Sequence, residues 1–399
     1  MKILIADKLP AEIRVELQRI GFDVLFEPQL GAEDLPVQIG DARILVVRST
    51  RVTEATLEAA GSLQLVIRAG AGTNTIDCKG AAARGIYVAN CPGKNAIAVA
   101  ELTMGLILSL DRRIPDNVSD LRAGRWNKAQ YGKARGLYGR TLGIVGLGRI
   151  GQEVLTRARA FGLHCVAWSR SLTEERARAL SVERCDSVAE LCGRADIVSV
   201  HVARTPETAH LIGPNEIAAM RQGAFLVHMA RGGVVDDTAL QAAVSAGRIR
   251  AAGDVYEQEP SSSTGDFESP LGPLDGFYGT HHIAASTDQA QAAIAAEVLE
   301  IAAQWRATGD VRNAVNQAVQ APVAGLLLVR HLDRVGVLAT VLDVLKKGDI
   351  NVQEMHNTIF AGGEAACARI SLAQPPGPET LADLASCSNH VLGVEYLDQ

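Results

Sequence analysis

The 399-residue sequence predicts an α/β protein, with two doubly wound parallel-sheet lobes followed by a small C-terminal βαββαβ module. Three observations carry that expectation. Short runs of Val, Ile, Leu and Ala alternate with helical stretches from the first residues onward. At 141–151 such a run breaks into glycines and leads straight into a helical pattern. Beyond residue 322 the order changes to strand, helix, strand, strand, helix, strand.

In the first part, residues 2–6, 24–27, 44–48, 65–68 and 86–89 read as strands, with helices over 11–20 and 53–60 between them. The strands are apolar runs with charged residues only at their ends, as expected where both faces of a parallel sheet are covered. A long amphipathic segment, 96–110, then carries the chain away. The second part opens at 141 and repeats the rhythm at 164–168, 197–201, 224–229 and 250–255. A loop rich in Ser, Pro and Gly follows over 259–276, and a helix is expected over 289–308. That helix is expected to return to the first part, giving one discontinuous lobe of residues 1–97 with 284–316 around a second of 98–283. The C-terminal module, 322–399, should place strands at 323–329, 352–359, 365–372 and 391–397 and helices at 335–346 and 378–385, a ferredoxin-like order.

Composition narrows the function classes. Apolar residues make up 47% of the chain and the net charge is −6, which offers no basic footprint for nucleic acid or an anionic membrane. No apolar run reaches spanning length, and no leader is expected ahead of the strand at 2–6. The seven cysteines are scattered, without a C-x-x-C pair or a histidine at ligand spacing. They read as small buried hydrophobes of a reducing, cytoplasmic compartment, and no metal site is expected.

The sharpest motif is T-L-G-I-V-G-L-G-R-I-G, ending at Gly151. A strand, a G-x-G-x-x-G turn and a helix form a dinucleotide-binding βα unit. Gly146 allows the sharp turn, Gly148 lets backbone approach a pyrophosphate, and Gly151 lets helix and strand pack closely. Arg149 and Ile150 complete the turn, and the helix directs its N-terminal N–H groups at the phosphates.

Three further patches follow in order: M-A-R-G-G-V-V-D at 229–236, D-V-Y-E-Q-E-P at 254–260 and H-H-I-A-A-S-T at 281–287. Together with the glycine turn they resemble the D-2-hydroxyacid dehydrogenases, and residues 331–338, H-L-D-R-V-G-V-L, are similar to the D-R-P-G-V-L pattern of ACT domains, with Val335 in the proline position. The resemblance implies a Rossmann-type cofactor lobe, a flavodoxin-like substrate lobe and a C-terminal ACT domain. It implies oxidation of 3-phospho-D-glycerate to 3-phosphohydroxypyruvate with NAD or NADP, the first step toward serine, in a homodimer or homotetramer. Hydride removal from an alcohol leaves a proton, for which His282 is the implied base. Glu259 is its implied partner, and Arg231 the implied fork for the substrate carboxylate. The family pattern has proline at the position of His281, which is expected either to support His282 from behind or to be exposed.

For the substrate's far end the resemblance points to Arg48, with Arg51 as a second cation or a solvated helix-entrance charge. Ala71 and Gly72, in R-A-G-A-G-T-N at 68–74, belong to the loop whose N–H groups would hold the carboxylate, and Asn95 joins the set. Arg135 is either a phosphate contact or a surface residue. On the cofactor side the implied residues are Ser169, Arg170, His201, Ala230 and Asp254, the last beside the nicotinamide. Where NAD-specific relatives carry an acidic residue after the second strand, this chain reads Trp168-Ser169-Arg170. The missing carboxylate admits a 2′-phosphate, so NADP is an expected cofactor unless Arg170 merely caps the strand. In the C-terminal module His331, Asp333 and Asn351 are the implied effector residues and L-serine the implied effector, against a module that only dimerises. Rival readings are a family member acting on glyoxylate, hydroxypyruvate or another unphosphorylated acid, and a nucleotide-sensing corepressor, which usually carries interaction tails and no ACT domain.

Overall fold

The computed structural model describes residues 1–260, 264–318 and 323–398. The chain divides into two compact units, Met1–Asn316 and Gln317–Gln399. The first unit holds two parallel sheets. Strands β1 (Lys2–Ile5), β2 (Asp23–Phe26), β3 (Ile44–Val47), β4 (Leu65–Arg68) and β5 (Tyr87–Asn90) pair in the order β2-β1-β3-β4-β5. This is the flavodoxin-like order. The central strands are apolar because they are covered on both faces: all four residues of β3 are fully buried.

The second sheet contains β6 (Thr141–Val145), β7 (His164–Trp168), β8 (Glu183–Arg184), β9 (Ile197–Val200), β10 (Phe225–His228), β11 (Arg250–Gly253) and β12 (Phe277–Gly279). Their order, β12-β11-β10-β9-β6-β7-β8, reverses direction between β6 and β9, the crevice where doubly wound sheets receive dinucleotides. The helix Ala96–Arg112 buries Val99, Met104, Ile107 and Leu110 in the core of this second sheet. The helix Asp288–Thr308 buries Ile294, Val298 and Ile301 against Ile3, Ile5, Ile13 and Leu17 of the first. Thr287 caps it by accepting the Ala290 N–H, and Gly309 ends it at φ +77°. Beyond the helix the chain is stitched to β5: Ala314 bridges Ala89, and the Asn316 amide pairs with the Val88 N–H and the Ile86 carbonyl.

The second unit contains β13 (Gly325–Leu332), β14 (Val352–Ile359), β15 (Ala365–Leu372) and β16 (Val391–Asp398), all antiparallel, in the order β14-β15-β13-β16. The helices Val337–Lys347 and Pro378–Ser386 contribute Val341, Leu345 and Leu384 to a core with Leu327, Val329 and Ile370. The first strand begins two residues later than the apolar run suggests and runs on to Leu332, and the helix begins at Val337, after Gly336 at φ +89°. The expected module ends, residues 322 and 399, lie outside the described residues. The short β12 falls where the sequence reads only as an exit from the loop. Among the described residues no helix is long and apolar enough to cross a membrane.

Candidate active site

A cleft of about 1740 Å³ runs between the walls of the first unit and is lined by Arg48, Arg68, Asn95, Tyr256, Glu259 and both His281 and His282, among others. Each polar wall residue sits at a strand end or on the turn after one, where parallel sheets leave backbone groups and side chains open to a ligand. Arg51 is exposed and is not among the lining residues.

Glu259 and His282 meet: Glu259 Oε2 lies 2.7 Å from His282 Nδ1, and Oε1 accepts the Tyr256 N–H at 2.8 Å. A carboxylate at Nδ1 fixes the proton there and leaves the Nε2 lone pair as the base. Burial opposes the charge on Glu259, yet the His282 and Tyr256 hydrogen bonds and the Arg231 charge hold its carboxyl below the ordinary value. His282 itself stands at φ +51°, a left-handed conformation rarely taken by a side-chain-bearing residue.

Arg231 follows β10. Its Nη1 donates to the Ala230 carbonyl at 2.7 Å, and a Cβ on Gly72 would come within 3.0 Å of its Nη2, so the guanidinium lies against the Ala71–Gly72 loop. That loop is held in turn by Asn90, which donates to the Ala71 carbonyl at 2.6 Å. Arg68 was not among the side chains expected from sequence to contact substrate. It lies over Gly70, where a Cβ would collide with its guanidinium, and its buried Nε has no partner. Burial, then the neighbouring charges of Arg231 and Arg48, push its pKa down to about 10, so three guanidinium groups crowd one region while all stay charged at neutral pH. Asp7 shapes the Arg48 loop: one carboxylate accepts the N–H groups of Arg48, Ser49 and Thr50 and the Ser49 hydroxyl. Arg48 Nη1 donates to Gln291 at 2.8 Å. Asn95 precedes the long crossing helix with its buried Oδ1 unpartnered.

The glycine turn has the geometry its spacing demands. Gly146 has φ +97°, and a Cβ there would press within 2.9 Å of the His201 backbone. A Cβ at Gly151 would collide with the Gly146 carbonyl oxygen, whereas nothing lies within 4 Å of the corresponding position at Gly148. The turn is therefore closed where helix meets strand and open where a phosphate would approach, ahead of the helix Arg149–Ala160. Arg149 turns back and donates to the Pro92 carbonyl. Ile150 is half-buried, Ser169 is half-buried and Arg170 is exposed, its charge acting on Glu207.

Two imidazoles stand at the ends of β9 and β10, His201 half-buried and His228 buried. His201 Nε2 lies 2.7 Å from Ser199 Oγ, with Nδ1 unpartnered, and burial pushes its pKa down to about 3. His228, which the sequence did not single out, is 2% exposed, and burial pushes it down to about 4 against a backbone hydrogen bond at Arg231 that favours its protonated form. Asp254 is 1% exposed, and both its oxygens accept from the segment that carries His282.

The three expected effector residues do not converge within one module. His331 is buried, with Nδ1 2.9 Å from the Leu332 carbonyl and Nε2 3.1 Å from Asn357 Oδ1. Asp333 follows at the same end of the sheet. Asn351 precedes β14 at the opposite end, because Val352 pairs with Leu372, which pairs with Gly325.

Comparison with known proteins agrees with this geometry. The profile of the family described as D-isomer specific 2-hydroxyacid dehydrogenase, NAD binding domain, matches residues 104–284. The chain is 43% identical over 302 residues to D-3-phosphoglycerate dehydrogenase of Methanocaldococcus jannaschii, covering 75% of this chain and 56% of that protein. It is 41% identical over 273 residues to hydroxypyruvate reductase of Thermotoga maritima, covering 68% of this chain and 87% of that protein. Among solved structures it resembles the NADPH-dependent glyoxylate/hydroxypyruvate reductase of Sinorhizobium meliloti in complex with NADP and malonate, with a TM-score of 0.67 and 26% identity over 79% of this chain and 96% of that one. The chain spans 56% and 59% of the length of the first two phosphoglycerate dehydrogenases it matches.

Proposed function

We propose, from the premise that the chain belongs to the D-isomer specific 2-hydroxyacid dehydrogenase family, that it is a D-3-phosphoglycerate dehydrogenase oxidising 3-phospho-D-glycerate to 3-phosphohydroxypyruvate in serine biosynthesis. One observation carries the choice of substrate: Arg48 and Arg68 line the cleft that also holds the Glu259–His282 pair, and Arg231 lies near enough for its charge to act on both Arg68 and Glu259. A phosphorylated hydroxy acid has an anion at each end and needs more than one fixed cation. Arg231, with the Ala71–Gly72 loop, takes the carboxylate and polarises the hydroxyl oxygen, while Arg48 and Arg68 receive the phosphate. His282 Nε2 removes the hydroxyl proton, and Glu259 stabilises the imidazolium; in the reverse direction the same nitrogen returns the proton. The glycine turn from Gly146 to Gly151 fits a pyrophosphate, with Ser169 and Arg170 toward the ribose and His201 and Ala230 toward the nicotinamide. When bound, the cofactor, NAD or NADP, supplies the hydride acceptor.

The same reading takes residues 1–97 and 284–316 as the substrate lobe, 98–283 as the cofactor lobe and 322–399 as an ACT domain. The strand order of the second unit supports the last assignment. Because His331 and Asn351 lie at opposite ends of one sheet, an L-serine site using both requires two copies of the module, in a homodimer or homotetramer. The protein is assigned to the cytoplasm. Hydroxypyruvate reduction is the second reading, favoured by the 87% coverage of the Thermotoga maritima enzyme.

Parallel kinetics on 3-phosphoglycerate and D-glycerate separate the two. Arg48→Ala should raise KM for the phosphorylated acid about tenfold or more and leave D-glycerate nearly unchanged, since the lost contact is uniform binding. Equal losses on both acids refute the phosphate role, and a wild-type enzyme that prefers the unphosphorylated acid refutes the substrate assignment.

A further inference from the structure

The residue after β11, Asp254, makes an arrangement that the expected nicotinamide contact does not require. Its Oδ1 accepts the Thr280 hydroxyl at 2.6 Å and the Ile283 N–H at 2.8 Å, and its Oδ2 accepts the Ala284 N–H at 2.9 Å. These three donors flank His282 on both sides. The same segment is tied twice more to the end of β11: the Thr280 N–H donates to the Gly253 carbonyl at 2.9 Å, and the Tyr256 hydroxyl donates to the Thr280 carbonyl at 3.0 Å. Between the anchors stands His282 at φ +51°. A left-handed residue other than glycine persists only where its surroundings over-determine it. Here two consecutive N–H groups beyond His282 converge on one buried carboxylate, and relaxing the turn would withdraw both from it.

We infer that Asp254 is a positioning residue for the base: it clamps the 280–284 turn so that His282 presents Nδ1 to Glu259 and Nε2 to the substrate. The inference rests on His282 being the base of the proposed reaction. The carboxylate acts by geometry, because its hydrogen bonds go to the turn and its link to the reacting atoms runs through His282. Thr280 is the side-chain half of the clamp, and its hydroxyl is the one contact that can be removed without altering a buried charge.

Asp254→Asn is isosteric, but its amide N–H₂ must face at least one of the three donors, so the clamp loses contacts without losing volume. In the full-length enzyme kcat should fall about 10- to 100-fold, the effect of misplacing a reacting group by about an ångström. The dissociation constant for NADH or NADPH, read by fluorescence titration, should stay within about twofold in Thr280→Val, which keeps the Asp254 carboxylate in place. The proton NMR line of the His282 Nδ1–H, identified by its loss in His282→Ala, should shift or broaden. Thr280→Val should change kcat and the His282 line in the same directions by less, and Thr280→Ser should restore them. Weakened cofactor binding with an unmoved His282 line in both Asp254→Asn and Thr280→Val would overturn the inference. A wild-type enzyme that oxidises or reduces no 2-hydroxy acid would refute the functional reading, while the His282 line still decides the clamp.

Discussion

His228 makes the stability of the first unit depend on pH in a calculable way. Its ring is 2% exposed, and burial lowers its pKa from 6.5 to about 4, outweighing a backbone hydrogen bond at Arg231. Below pH 6.5 the unfolded chain gains a proton that the folded chain refuses, so stability falls with pH until about pH 4 and is flat below it. Between pH 7 and pH 5 this one group removes about 2 kcal/mol. His201, driven to about 3 by burial, acts in the same direction. Asp237, raised to about 6 by burial, gains stability as pH falls, so the raw profile is a sum and only a variant isolates His228. His228→Leu is the variant of choice, because it removes the titrating ring and keeps the site filled. Urea unfolding followed by tryptophan fluorescence reads the right unit, since Trp126, Trp168 and Trp305 all lie before residue 316. Relative to wild type, the variant should be more stable at pH 5 than at pH 7 by about 2 kcal/mol. A difference equal at the two pH values would mean that the imidazole is not held neutral by burial, and the reasoning fails.

Two further outcomes test the cofactor and regulatory assignments. Ser169→Asp should shift the ratio of kcat/KM with NAD to that with NADP toward NAD by tenfold or more, about 1.4 kcal/mol, because the carboxylate accepts from a ribose hydroxyl and repels a 2′-phosphate; a wild type wholly inactive with NADP would contradict the argument from Ser169 and Arg170. A chain ending at Asn316 should keep its dehydrogenase activity and lose any response to L-serine, and calorimetry of the full chain that detects no serine binding at millimolar concentration would reduce the second unit to an assembly element.

Much of the fold was legible because parallel strands buried on both faces must be written as unbroken apolar runs. Strand β3 shows this, and the strand at 164–168 falls on the residues expected; the antiparallel strands at 352–359 and 365–372 also do, but there it was the order of elements rather than an unbroken apolar run that placed them. Strand β12 was not legible, since only Phe277 of its three residues is buried and it emerges from a Ser/Pro/Gly loop. The meeting of Glu259 and His282 was legible through motif order, although periodicity alone does not pair residues 23 positions apart. Arg68 read as the start of a backbone loop, and only the approach of β4 to the Arg231 turn and the Arg48 loop reveals its side chain as a third cation. Likewise D-V-Y-E marks Asp254 as a strand end, but the donors that claim its carboxylate arrive from residues 280–284. Asn351 and His331 share a motif alignment and still stand at opposite ends of a sheet, because antiparallel register, invisible in a linear pattern, decides which strand ends meet.

The stitching of the segment after residue 288 onto β1 and β5 fixes an order of events during synthesis. The flavodoxin-like sheet, made before the second sheet, lacks Ile294, Val298 and Ile301 and the Ala314 and Asn316 pairings until nearly 200 intervening residues have been translated. The sheet of β6–β12 is complete in sequence at Gly279, just ahead of those partners. The earlier-encoded sheet therefore waits with an uncovered apolar face while the whole of the second sheet is made, the period in which a nascent chain most needs a chaperone.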